Sequence, residues 1–306
     1  MSRENELRDN PKQEADPQMP ESAEQTPAES SDPQEDTAND PFNTFKKGYS
    51  ELSREEIRED MNRRYQTGDA YPNPSYWIHA HHTSLESTFV ELIGSAGDGK
   101  SVLEIGCGSG GIAAHHLKKA SRILATDLSD SALGIARDFF KLDPRIAFVE
   151  TAAENIDEPD EAFDVVVSKE VIEHLIQPID LLHQAYRLLR PGGILVFSTP
   201  NKDSLHLRVN RLFGRPDFMC AGDHIREFTY AEMQEMIVAA GLVEEEAVGV
   251  TLLPYHYVEG VFPDTIRDAE DYNLEFNAMM QILGRRCGPE YAFGYVIRCR
   301  KPLAKF

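Results

Sequence analysis

Cysteine is scarce. The four in this 306-residue chain, Cys107, Cys220, Cys287 and Cys299, form no CxxC pair. That spacing suggests neither a disulfide framework nor a cysteine zinc cluster, and the expected state is four reduced thiols. Long apolar runs are also missing: none approaches the roughly 20 residues that cross a bilayer. The polar opening, MSRENELRDN, shows no apolar signal core behind a basic start. These absences predict a cytoplasmic protein without a membrane span. Basic charge is the third deficit. With 31 Lys+Arg against 52 Asp+Glu and a net charge of −21, the chain lacks the cation surplus that neutralises a phosphate backbone, which argues against nucleic acid as a partner. Tryptophan occurs once, as Trp77.

The acidic excess is concentrated at the front. The first 41 residues hold twelve acidic and three basic side chains and almost no large apolar ones. Such a segment cannot bury enough apolar area to offset the entropy of ordering it, so residues 1–48 are expected to form a disordered acidic tail. A folded domain is expected over 49–306. Residues 50–66, with acidic residues first and basic residues last, predict a helix whose charges suit its dipole. YPNPSYWIHAHH, broken by two prolines, follows, and then a second helix over 83–94 completes an amino-terminal cap spanning 49–95. From there strand-like runs alternate with helical segments: SVLEIG with IAAHHLKK, RILATD with SALGIARDFF, then IAFVE, FDVVVS with PIDLLHQAYRLL, and GILVFSTP. This alternation predicts right-handed crossovers and an α/β, doubly wound, mainly parallel sheet. LVEEEAVGV and YAFGYVIRCRKP predict a closing antiparallel pair, with an insertion at 251–290 between them. That would complete seven strands.

The strand at 102–105 runs straight into a glycine turn, Gly106-Cys107-Gly108-Ser109-Gly110, and then a helix. Such a turn brings main chain close to a ligand and aims helix N–H groups at it. Gly106, Gly108 and Gly111 also satisfy the dinucleotide pattern GxGxxG, with Asp127 near the ribose-binding position, so glycine spacing leaves a nicotinamide dehydrogenase open. Glu104 decides against it: a carboxylate there repels a pyrophosphate but suits an ammonium-bearing ligand. Helix capping by Glu104 and by Asp127 is the alternative for each.

With E-x-G-x-G-x-G at 104–110 and Asp127 closing the next strand, residues 100–250 resemble the class I S-adenosylmethionine-dependent methyltransferases. The resemblance implies that Glu104, Gly106, Cys107, Gly108 and Gly110 hold the methionine end of S-adenosylmethionine, and that Asp127, with Leu128 beside it, receives the ribose hydroxyls. Where members commonly carry an adenine-binding aspartate this chain has Ala152, so only Ala153 and Glu154 carry over there. Ser168, Lys169 and Glu170, at the end of FDVVVS, complete the expected cofactor contacts. Arg190-Pro-Gly-Gly193 matches the turn before the fifth strand.

Glu170, Glu173 and His174 stand at i, i+3 and i+4, which on a helix places them on one face toward the substrate crevice. His224 precedes a helix expected at 229–240. Two carboxylates and two imidazoles suit a divalent ion such as Mg²⁺, Mn²⁺ or Zn²⁺. The E-x-x-E-H element resembles that of ubiquinone-pathway O-methyltransferases and of small-RNA 2′-O-methyltransferases, the latter also sharing an STPN-like strand end. Both imply methyl transfer to oxygen. The bland alternative has Glu170 touching the cofactor, Glu173 capping a helix and His174 acting alone as a general base. Arg208, Arg211, Arg215 and Arg226 cluster locally, either in favour of the RNA branch or as solvated helix surface and partners of the abundant carboxylates. Trp77, His79, His81 and His82 would form a lid or pack the cap. The resulting expectation is an enzyme that methylates a small-molecule oxygen, in a quinone precursor, phenol or sugar. The alternatives are a metal-dependent RNA 2′-O-methyltransferase and a cofactor-binding protein without turnover.

Overall fold

A computed structural model describes residues 49–68, 76–217, 219–252 and 274–303, with the backbone alone for residues 50, 76–80 and 274. The expected acidic tail lies outside the described residues, as do the side chains of Trp77 and His79 and the stretch 253–273 of the insertion.

Seven strands, β1 Ser101–Ile105, β2 Arg122–Asp127, β3 Ile146–Glu150, β4 Phe163–Lys169, β5 Leu189–Pro200, β6 Val243–Val250 and β7 Gly294–Arg300, form one sheet in the order β3-β2-β1-β4-β5-β7-β6. The first five run parallel, and β7 pairs antiparallel with both β5 and β6. The doubly wound, mainly parallel α/β sheet of the sequence is therefore present, with its last strand reversed. Its centre reads as continuous apolar runs because both faces are covered. Val102, Val165, Val167, Ile194 and Val196 face one side against α2 (Tyr76–Ile93) and α3 (Ile112–His116), and Leu103, Val166, Leu195 and Phe197 face the other against α5 (Pro178–Leu188) and α7 (Tyr230–Ala239). Consecutive residues alternate faces, as strand geometry requires.

Several boundaries differ from those read in the sequence. Helix α1 spans Arg54–Thr67, since Ser53 and Glu56 form a capping box, and it ends at Gly68 in the left-handed region. Helix α2 begins at Tyr76, just past both prolines, seven residues earlier than the expected 83. Helix α3 has only five residues instead of eight. Arg190-Pro-Gly-Gly193 lies within β5, as a register irregularity opposite Phe163 to Val165. Helix α6, Leu205–Leu212, had no counterpart in the sequence reading, and α8, Leu274–Cys287, forms the described part of the insertion. No described helix is long and apolar enough to cross a membrane.

Two buried histidines, His81 on α2 and His206 on α6, flank Phe293 at the start of β7, with ring centroids 4.9 and 5.7 Å from it. Burial drives the His81 pKa down to about 3 and the His206 pKa down to about 4. Both stay neutral in the fold, while the unfolded chain takes up their protons near pH 6.5. Stability is thus fully present above pH 6.5 and falls as the pH drops toward 4, by up to about 1.4 kcal/mol per pH unit per group. Replacing His206 with glutamine should flatten the slope of urea-unfolding free energy between pH 6.5 and 4.5. Equal slopes in both proteins would remove His206 from this acid sensitivity.

Candidate active site

The carboxyl ends of β1, β2, β4 and β5 converge where the strand order reverses between β1 and β4, the place at which open α/β sheets bind ligands. The glycine turn after β1 is held by Gly106 and Cys107, whose N–H groups donate to the Thr126 carbonyl at 2.8 and 2.9 Å. Gly106 sits at φ +72°, and a side chain there would meet Val171 Cγ2 at 2.3 Å. Glu104 is buried and accepts from Ile112 N at 2.6 Å and Ala113 N at 2.9 Å. It therefore caps α3 from the strand, the alternative weighed for it, and a Cβ on Gly111 would lie 1.8 Å from its oxygen. Burial raises its pKa to about 7, although the two N–H groups oppose the rise. Asp127 accepts from Gly108 N at 2.7 Å on one oxygen and from Ser129 N at 2.8 Å on the other. Each oxygen keeps acceptor capacity for one hydroxyl. Leu128 follows half-buried. Ala153 packs against the core, and Glu154 is tied to Arg54 of α1 at 3.0 Å.

Helix α1 bridges the same rim. Asn62 Oδ1 accepts from the Ser129 hydroxyl at 2.8 Å and from Ser131 N at 3.1 Å, and Arg58 pairs with Glu150 at the end of β3. At the end of β4, Ser168 is buried with its hydroxyl unpartnered among the described residues, and Lys169 reaches Glu86 of α2 at 3.4 Å.

Beyond β4 the structure corrects the helix-face reading of Glu170, Glu173 and His174. No α-helix forms there: Glu170 is in the left-handed region at φ +53°, and Ile172–His174 make one 3-10 turn. The strain sits at the site, where tight surroundings hold it. Glu170 turns to β5, accepting from the Ser198 hydroxyl at 2.6 Å. Glu173 is fully buried; Oε2 accepts from the Thr199 hydroxyl at 3.1 Å, and Oε1 has no partner among the described residues. Burial, reinforced by Glu170, raises its pKa well above the usual range. His174 Nδ1 lies 2.9 Å from the Asp223 carbonyl, an acceptor, so Nδ1 carries the proton and Nε2 presents a lone pair. Burial lowers the His174 pKa to about 4, so the ring is neutral at pH 7.

The loop carrying His224 is drawn in by main chain: Ile225 N and Arg226 N both donate to the Glu173 carbonyl, at 2.9 and 3.2 Å. The rings of His174 and His224 meet edge to face at 4.9 Å. Burial opposes charge on His224, but its 2.8 Å bond to Glu227 and the neighbouring carboxylates outweigh it and raise the pKa to about 9. Donor atoms of Glu173, His174 and His224 lie within 4.8 Å of one another; Glu170 is outside this group. Asp223, Thr199 and Glu227 support the site without having been singled out in the sequence. The adjacency of Asp223 and Glu227 to His224 in GDHIREF was the one available signal. Three of the four clustered arginines are engaged: Arg208 and Arg211 with Asp203, and Arg226 with Glu232.

The methyltransferase-domain family matches residues 76–246. A Mycolicibacterium smegmatis protein named as a probable S-adenosylmethionine-dependent methyltransferase is 32% identical over 176 residues, 58% of this chain and 63% of that protein. The ubiquinone biosynthesis O-methyltransferase of Alkalilimnicola ehrlichii is 32% identical over 108 residues, 35% of this chain and 44% of the relative. The chain thus matches less than two thirds of the length of either relative. Among solved structures, a Haloferax volcanii methyltransferase in complex with the Trm112 activator superposes with a TM-score of 0.56 at 17% identity, over 79% of this chain and 98% of that one; this likeness concerns the fold. With more than half of its length matched, the chain belongs to the methyltransferase-domain family, on the class I S-adenosylmethionine-dependent methyltransferase fold.

Proposed function

We propose that the protein transfers a methyl group from S-adenosylmethionine to an oxygen of a small molecule, of the quinone-precursor, phenol or sugar class, with a divalent ion held by Glu173, His174 and His224. The observation that carries this reading is the unpartnered Glu173 Oε1, buried beside a neutral imidazole and within reach of a second one. A buried acceptor without a donor is costly and calls for a ligand. The names of ubiquinone biosynthesis O-methyltransferases among the relatives support oxygen as the acceptor atom. Pairing of the arginine cluster with carboxylates weighs against an RNA substrate.

The donor set fits the cofactor. Asp127 can take both ribose hydroxyls, the turn at 106–110 would face the methionine end with Glu104 fixing the start of α3 behind it, and Ser168 offers a hydroxyl with no partner among the described residues. Leu128, Ala153, Glu154, Lys169 and Glu170 surround the same ends of β2, β3 and β4. When bound, S-adenosylmethionine would supply the electrophilic methyl, and a divalent ion would lower the pKa of an acceptor hydroxyl. His174, neutral and oriented by the Asp223 carbonyl, presents Nε2 as a ligand to the ion where one is bound, and where none is bound the same lone pair is the acceptor for that hydroxyl's proton. Thr199 and Ser198 hold Glu173 and Glu170 in place, so alignment of the acceptor oxygen with the methyl supplies much of the acceleration.

The test is transfer of labelled methyl to a panel of adjacent diols, single phenols and RNA, with Mg²⁺, Mn²⁺, Zn²⁺ or chelator, by wild type, His174→Ala and His224→Ala. Adjacent hydroxyls should be methylated with a metal, and each variant should lose at least about 100-fold. Transfer that ignores chelator but still needs His174 would leave that histidine as a base and remove the ion. Transfer to RNA alone would contradict the small-molecule reading.

A further inference from the structure

His224 also belongs to a second donor group, with Cys220 and Glu227, whose ligand atoms lie within 4.8 Å of one another. We propose that these three residues form a thiolate-containing site for a thiophilic divalent ion of the zinc class. Zinc bonds of about 2.3 Å to sulfur and 2.05 Å to nitrogen at the tetrahedral angle put the two donors about 3.6 Å apart. Cys220 Sγ and His224 Nδ1 are 3.6 Å apart. Nitrogen and carboxylate oxygen around the same ion stand about 3.4 Å apart. His224 Nδ1 and Glu227 Oε1 are closer, at 2.8 Å, because Nδ1–H donates directly to the oxygen. The ion takes the place of that proton and of the thiol proton; both leave to solvent, and no oxidation is involved.

The loop is already closed around the site. Cys220 N donates to Glu227 Oε1 at 2.6 Å, and Ile225 and Arg226 are tied to the Glu173 carbonyl. His224 and Glu227 are buried, and Cys220 is half-buried beside them. Three protein donors leave a fourth position for water. Mg²⁺, which favours oxygen donors, is not expected there. The spacing Cys-x3-His-x2-Glu contains no cysteine pair, so the sequence alone gave no sign of it. With Nδ1 of His224 on this ion, its Nε2 keeps a proton, so this site and an ion shared with Glu173 and His174 use His224 in alternation, and Cys220 and Glu227 belong to this site alone.

Metal-stripped full-length protein is titrated with Co²⁺ under reducing conditions, and the near-ultraviolet sulfur-to-cobalt charge-transfer band is followed. Wild type should develop the band, and Zn²⁺ should erase it. Cys220→Ser and Cys220→Ala should lack it and bind Zn²⁺ at least about tenfold more weakly, while Glu173→Gln should keep it. No band in wild type, an undiminished band in Cys220→Ser, or loss of the band in Glu173→Gln each overturns the assignment. Binding of S-adenosylhomocysteine to the same samples reports folding and the cofactor reading separately, so failure of one is not mistaken for failure of the other.

Discussion

Glu173→Gln should lower turnover at least about 100-fold and leave the melting temperature at or above that of wild type. Glu173 is fully buried, and one of its oxygens has no hydrogen-bond donor among the described residues. Burying a carboxyl without a full set of partners is unfavourable, and burial already pushes this one toward its protonated form, so it is kept against the interest of stability. Glutamine has the same shape, still accepts from the Thr199 hydroxyl and carries no charge to desolvate. What it cannot do is offer an anionic donor to an ion or complement the positive charge passing through the site. The removal of a ligand or charge stabiliser from the reacting centre costs several kcal/mol of barrier, and about 1.4 kcal/mol is tenfold in rate. The checks are kcat with the best acceptor and a thermal melt of each protein. Turnover within about tenfold of wild type would mean that Glu173 is not part of the chemistry, and a sharp fall in melting temperature would mean that its role is structural.

Gly106→Ala should abolish binding of S-adenosylhomocysteine and destabilise the protein by about 2–4 kcal/mol, the sum of left-handed strain and steric overlap. The added methyl would stand 2.3 Å from Cγ2 and 3.2 Å from Cγ1 of Val171, a β-branched side chain with little freedom to turn. Val171 follows Glu170, so any retreat disturbs the strained residue that points the Glu173 and His174 turn at the crevice. The Thr126 carbonyl, which holds Gly106 and Cys107, would lose its geometry as well. Adding Val171→Ala should recover part of the stability by removing the clash, but only part, because the φ of +72° remains unfavourable for alanine. Full recovery of both stability and binding in the double variant would show that the clash alone, not the backbone conformation, requires glycine.

The parts legible in the sequence are those fixed by local chemistry. The alternation of apolar runs with amphipathic segments gave the sheet, because a parallel sheet covered on both faces must read that way. The glycine turn and Asp127 were legible because few residue types permit that turn, and Asp127 duly holds it through Gly108. The segment after β4 was misread for a physical reason. Its i, i+3, i+4 spacing fits a helix, but Glu170 in the left-handed region prevents one, and Val171 fills the space over Gly106 instead. Glu173 and His174 reach the site through a single tight turn. Glu170, which helical spacing grouped with them, is engaged by Ser198. Asp223, Thr199 and Glu227 escaped the sequence because their roles rest on contacts across 49, 26 and 3 positions, two of them far beyond any local pattern. Pro72 and Pro74 make the stretch before 83 look broken, yet both stand ahead of Tyr76, where α2 begins.

The central claim is that the ends of β1 and β2 hold S-adenosylmethionine, and calorimetric titration with S-adenosylhomocysteine on wild type and Asp127→Ala tests it most directly. Wild type should bind with one site per chain. Asp127→Ala, which removes both proposed ribose acceptors and the group that receives Gly108 N and Ser129 N, should weaken binding by at least about 100-fold, roughly two hydrogen bonds to a charged acceptor. No heat of binding in wild type, or equal affinity in the variant, would contradict the account.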